Sequence, residues 1–111
     1  MSRLRQFKLQ YLPGIVLLLT AGCSSNLQPP QKHTITIAAM KFSPDTVFIA
    51  SGDTLEFINQ DMVDHDITDF PDKKWTSSKL QPGDTWMYVP VKSGSYFCSI
   101  HQVMKGEIVI K

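Results

Sequence analysis

A chain of 111 residues holds one domain and little else. Its 42% hydrophobic and 19% charged content, with a net charge of +1, fits a globular protein and excludes disordered, collagenous and strongly basic nucleic-acid-binding classes. Two cysteines, Cys23 and Cys98, allow at most one disulfide and exclude a disulfide-stapled scaffold.

The first element in chain order is a targeting segment. Arg3, Arg5 and Lys8 form a positive region, residues 12–19 an apolar run, and Ala21 and Gly22 supply the small residues of a cleavage site. The run is too short to span a bilayer, which takes about 20 apolar residues. Leu19-Thr20-Ala21-Gly22-Cys23-Ser24-Ser25 resembles the lipobox of bacterial lipoproteins, although Thr20 stands where Leu is usual. The resemblance implies that Cys23 is acylated and becomes the new N-terminus. Ser24 lies where Asp would signal inner-membrane retention in enterobacterial lipoproteins, so an outer-membrane anchor on the periplasmic side of the bacterial envelope is favoured. The other reading is an ordinary secretory signal with Cys23 near the cut. Residues 26–32, with Pro29 and Pro30, read as an extended polar tether.

The organisation is therefore a signal peptide over 1–22, a lipidated cysteine and tether over 23–32, and a domain over 33–111. Without Arg3, Arg5 and Lys8 the chain keeps eight basic and ten acidic side chains, which removes the electrostatic footing for nucleic-acid binding. A domain this small buries only about 60–65% of its unfolded surface, so a metal or other staple would help it.

Along the mature chain the periodicity favours strands. His33-Thr34-Ile35-Thr36-Ile37-Ala38 alternates with period two, and Val47-Phe48-Ile49-Ala50 is a short apolar run. Ser51-Gly52-Asp53 turns the chain into residues 54–59, and Pro82-Gly83-Asp84 into residues 85–89. Residues 95–98 and 106–110 complete the set, with Gly106 placed to let the chain turn tightly into the last strand. Residues 68–79 form the only long irregular stretch, and no window shows a capped helical period. The expected fold is all-β, a small antiparallel β-sandwich.

The chemistry is concentrated after the strand that ends in Cys98. Cys98, His101 and Met104 at spacing C-x2-H-x2-M bring a thiol, an imidazole and a thioether to one loop. Two imidazoles and a thiolate with a weak axial thioether describe a blue-copper site, and His65, just past strand 54–59, is the best candidate for the second imidazole. Taken singly, Cys98 reads as a buried small hydrophobe and Met104 as core filler. Together they do not, because a free thiol in an oxidising compartment is a liability, and an acylated Cys23 is no disulfide partner for it.

With Phe42-Ser43-Pro44, Ser51-Gly52-Asp53-Thr54-Leu55-Glu56-Phe57-Ile58-Asn59, His65, Leu80-Gln81-Pro82-Gly83-Asp84 and the segment from Gly94 to Ile110, the chain resembles the cupredoxins of the plastocyanin, amicyanin and pseudoazurin group. The resemblance covers about His33 to Lys111, and the loop spacing is that of amicyanin and pseudoazurin. It implies a Greek-key β-sandwich and one type 1 copper ion held by His65, Cys98 and His101 in the equatorial plane and Met104 on the axis. It also implies that His101 reaches the surface through an apolar patch and is the electron exit.

Two features depart from that group. Asp66 replaces the Asn that follows the first His, and an ionised carboxylate there lowers the potential by favouring Cu(II). Ile100 and Gln102 replace prolines, so Ile100 has an N–H which, donated to the thiolate, raises it. Asp61, Asp64, Asp66, Asp69 and Asp72 read either as a solvated loop or as a docking face for a basic redox partner such as a c-type cytochrome. His33 reads as solvated, and Phe57, Trp75, Trp86 and Tyr88 as packing.

The function expected is that of a monomeric, membrane-anchored periplasmic single-electron carrier, not an enzyme. The alternative is copper storage or delivery, which Met40, Met62 and Met87, scattered along the sequence, do little to support. A dinuclear centre would need a second Cys in the loop, a Cys-His nucleophile lacks an orienting group, and zinc leaves Met104 unexplained.

Overall fold

Strict alternation gives the two central strands one buried face each. The computed structural model describes residues 28–111, so the expected signal peptide and lipidated Cys23 lie outside the described residues. In β1 (Lys32–Ala38) Ile35 and Ile37 are buried, and in β4 (Thr54–Asn59) Leu55, Phe57 and Asn59 are. With β2 (Lys41–Ser43) and β6 (Thr85–Tyr88) they form one sheet in the order β2-β1-β4-β6. The second sheet is β3-β8-β7-β5, built from β3 (Thr46–Ile49), β5 (Thr68–Phe70), β7 (Gly94–Phe97) and β8 (Lys105–Ile110).

The all-β sandwich is as expected, but the sheets are mixed rather than antiparallel. β1 runs parallel to β4, and β3 parallel to β8. β2 and β5 lie in stretches that are too short and polar to read as strands. Residues 68–80 are held by bridges of Thr68 to Thr76 and His65 to Leu80.

Between the sheets, Ile35, Ile37, Leu55 and Phe57 join Val47, Ile49, Tyr96 and Ile108 in one core. Phe42 and Phe57 both meet the Tyr96 ring edge-on, with centroids 4.9 and 5.4 Å away. Trp86 and Tyr88, two apart on β6, stack at 5.1 Å and are capped by Trp75 from the irregular stretch. These rings pack against the core, as the sequence suggested.

Gly106 has a role different from the expected turn. A Cβ there would overlap the Tyr96 ring, so this position admits no side chain.

The parallel pairing of β1 with β4 gives the sandwich two unlike poles, since both strands start at one end and finish at the other. At the starting pole Asp53 accepts hydrogen bonds from the N–H groups of Gln31 (2.9 Å) and Ala50 (3.0 Å) and pairs with His33 Nε2 (2.8 Å). His33 is thus a clasp on the tether, not a solvated side chain. These contacts, the Gln31 and Ala50 amides first, lower the Asp53 carboxyl to about 2.

A carboxyl lowered on folding adds stability that is complete above its unfolded value and lost as pH falls through its folded one. The Asp53 contribution should disappear between about pH 3.8 and about 2, and Asp53→Asn should flatten the acid limb of a pH–stability curve in that window. Gly106→Ala should cost about 1–3 kcal/mol in denaturant unfolding, as overpacking does.

Candidate metal centre

At the finishing pole three connections converge: the β1–β2 turn, the loop after β4, and the loop from β7 into β8. His65 is fixed there by its backbone, which exchanges hydrogen bonds with Leu80 in both directions (3.1 and 2.7 Å). Asn59, buried at the end of β4, braces the same loop. Its amide donates to the Val63 and Leu80 carbonyls, both at 3.0 Å, and its oxygen accepts the Asp61 N–H. The β7–β8 loop is closed by Cys98 N–H to the Met104 carbonyl and Met104 N–H to the His101 carbonyl, each 3.1 Å.

These supports place one donor atom from each of His65, Cys98 and His101 within 4.8 Å of one another. Cys98 is fully buried, and its Sγ lies 3.7 Å from His65 Nδ1. The sulfur accepts two backbone N–H groups, from Asp66 and from His101, each at 3.4 Å. The donor on the C-terminal loop is therefore His101, not Ile100 as the missing proline suggested.

The two imidazoles present different edges. His65 Nε2 contacts Asp61 Oδ2 at 2.9 Å, and an ionised carboxylate can only accept, so the proton sits on Nε2 and the Nδ1 lone pair faces the sulfur. The His65 contact and the Met40 N–H hold the Asp61 carboxyl below its ordinary range. His101 Nδ1 is buried and has no hydrogen-bond partner. An orphaned imidazole nitrogen beside a thiol and a second imidazole fits a soft metal ion, because coordination would satisfy it. Met104, 2% exposed, closes the same loop.

Asp66 is buried behind this cluster. It accepts the Ser99 N–H (2.7 Å), the Ser99 hydroxyl and the Thr68 hydroxyl (3.0 Å), clasping the residue after Cys98. Four of the five aspartates are thus tied into the fold, and Asp72 is exposed. Asp61 holds His65, Asp66 holds Ser99, Asp69 accepts the Lys74 N–H, and Asp64 pairs with Lys79 at 3.7 Å. The sequence singled out neither Asp61 as a ligand brace nor Ser99 as a clasp. Nothing but spacing separates Asp61 from its acidic neighbours. Exposed apolar side chains instead sit on the two ligand loops: Met62 and Val63 on one, Ile100 and Val103 on the other.

The family model of the cupredoxin-like domain matches residues 12–110, and the chain belongs to that family. Among solved structures it is similar to a purple cupredoxin from Nitrosopumilus maritimus, with a TM-score of 0.65 and 26% identity over 71% of this chain and 99% of that one. A copper-containing nitrite reductase from Thermus scotoductus SA-01 aligns with a TM-score of 0.64 and 26% identity, over 84% of this chain but only 25% of the enzyme. A mutant of amicyanin in its reduced state shares the fold at 19% identity, a TM-score of 0.62, and 71% and 81% coverage of this chain and that one. A sequence search of the curated proteins finds no match. Fold, family and the His-Cys-His cluster together suit one type 1 copper ion.

Because Asp61 sets the tautomer and direction of His65, Asp61→Ala should weaken copper binding by about 10–100-fold, read in a competition titration with a chelator. The apo fold should keep its circular dichroism spectrum.

Proposed function

We propose that the protein is a periplasmic, lipid-anchored single-electron carrier and not an enzyme. In this reading His65, Cys98, His101 and Met104 would hold the copper, and Cys23 would bear the lipid. Copper held there supplies a one-electron Cu(II)/Cu(I) couple. The observation that carries the reading is the preset cluster: Sγ is already fixed by two N–H groups, His65 by Asp61, and His101 Nδ1 is buried without a partner. Ligands that need not move are what a carrier requires, since rearrangement on each electron transfer would raise its barrier.

The carrier's partner is a redox protein such as a c-type cytochrome, met in a small, transient encounter. The docking surface is the half-buried His101 with exposed Ile100 and Val103 beside it. The tether leaves from the opposite pole, where Gln31 is clasped by Asp53. An anchor at Cys23 would leave the copper end pointing away from its membrane. Eight residues from Cys23 to Gln31 reach at most about 30 Å, so such an anchor would keep the domain near the surface.

Adding Cu(II) to the processed protein should give an intense thiolate-to-copper band in the visible spectrum, absent from Cys98→Ser. A pale spectrum would favour storage or delivery instead. Asp66→Asn should raise the reduction potential measured by voltammetry, because it removes a buried negative charge that hydrogen-bonds the residue after Cys98. An unchanged potential would remove Asp66 from the tuning of the site.

A further inference from the structure

One buried amide grips the His65 loop from two sides. Asn59 is fully buried, and both polar atoms of its side chain are engaged by segments that flank that histidine. Its Nδ2 donates to the Leu80 carbonyl at 3.0 Å, and the same carbonyl accepts the His65 N–H at 3.1 Å. The Asn59 oxygen accepts the Asp61 N–H at 2.9 Å, and Asp61 Oδ2 contacts His65 Nε2 at 2.9 Å. A second Nδ2 bond, to the Val63 carbonyl at 3.0 Å, ties down the loop between them.

The amide is itself pinned. The Asn59 main-chain N–H donates to the Asp84 carbonyl at 2.9 Å, and its carbonyl accepts the Gly83 N–H at 2.7 Å. The Pro82-Gly83-Asp84 turn thus holds the backbone of this residue while its side chain reaches the ligand loop. Only an amide suits the position, because it offers an acceptor on one side and two hydrogens on the other. An ionised aspartate would turn an oxygen toward two carbonyls, and leucine would leave one N–H and two carbonyls short of a partner.

We propose that Asn59 is a positioning residue for the metal centre. None of its hydrogen bonds reaches a donor atom of the cluster, yet it fixes the His65 backbone through Leu80 and the His65 ring through Asp61. Together these links keep Nδ1 turned toward Cys98. This rests on the reading of His65 as a copper ligand, and goes beyond it by assigning that ligand's pose to a side chain that does not touch it. Both links act on one imidazole, so losing them is not additive.

The test is a double-mutant cycle on copper affinity, with nitrogen-15 NMR of the histidine rings in the metal-free chain as a second readout. Asn59→Ala should weaken copper binding about tenfold in competition with a chelator. Combined with Asp61→Ala, it should lose less than the product of the two single losses. In metal-free Asn59→Ala the His65 ring signals should move toward a mixture of the two neutral tautomers, while those of His101 stay in place. Ile49→Val, a core change at the tether pole, should alter neither the affinity nor the ring signals. Wild-type affinity in Asn59→Ala overturns the proposal, as do losses that multiply or His65 signals that do not move. If Asn59→Ala fails to fold, hydrogen exchange in the metal-free wild type decides: protection of the Asn59 side-chain amide and of the His65 N–H should agree within about tenfold, and a wider gap overturns the link. A wild type that binds no copper refutes the copper reading alone, and the tautomer shift then decides the role of Asn59.

Discussion

The sulfur of Cys98 is the atom on which the rest of the structure depends. It is fully buried and accepts N–H groups from two separate loops, the Asp66 amide from the β4–β5 connection and the His101 amide from the β7–β8 connection. A thiol would gain little from two such donors, but a thiolate gains a good deal, because hydrogen bonds to an ionised acceptor are the stronger ones. The same two contacts pull the loops together, which brings His65 and His101 to a ring separation of 4.9 Å. Both ligand loops are therefore organised around the one atom that most needs a metal or a proton.

Behind that sulfur the carboxylates divide the work. Asp61 orients an imidazole, Asp66 clasps Ser99, and each does so through several donors, so neither side chain can rotate without breaking more than one contact. With copper bound, two negative charges so close would favour the oxidised ion, whereas two N–H donors on the thiolate would favour the reduced one. These groups would oppose one another, and the potential would follow their difference rather than any single one.

Strand content and the ligand cluster were legible in the sequence because each rests on a local signal. Alternation marked β1, the turns at Gly52 and Gly83 marked the starts of β4 and β6, and the C-x2-H-x2-M spacing marked three residues of the loop. What was not legible depends on pairing across the chain. The direction of β1 against β4 has no signature in either strand, and it is this direction that puts residues 28–31 and the His-Cys-His cluster at opposite poles. Likewise Asp53 and His33 are 20 positions apart and Asp66 and Ser99 are 33 apart, so a turn residue, a histidine read as solvated and a carboxylate read as tuning the site gave no sign of these pairings. Gly106 illustrates the same limit. Its need for no side chain is imposed by Tyr96 on the adjacent strand, not by its own backbone.

The use made of the aspartates bears on how a partner is recognised. An acidic docking face needs carboxylates turned to solvent, but Asp61, Asp66 and Asp69 accept hydrogen bonds within the fold and Asp64 pairs with Lys79. Hydrogen bonds leave a carboxylate its charge, so these groups still add to the field at this pole even though they present no row of free oxygens. The exposed apolar side chains at this pole are Ile100 and Val103 flanking His101, with Met62 and Val63 on the other ligand loop. Desolvation of such a surface is short-ranged and tolerant of orientation, which suits an encounter that must form and dissolve once per electron. In the proposed carrier, recognition at this pole would combine contact with the apolar rim of His101 and the field of these carboxylates.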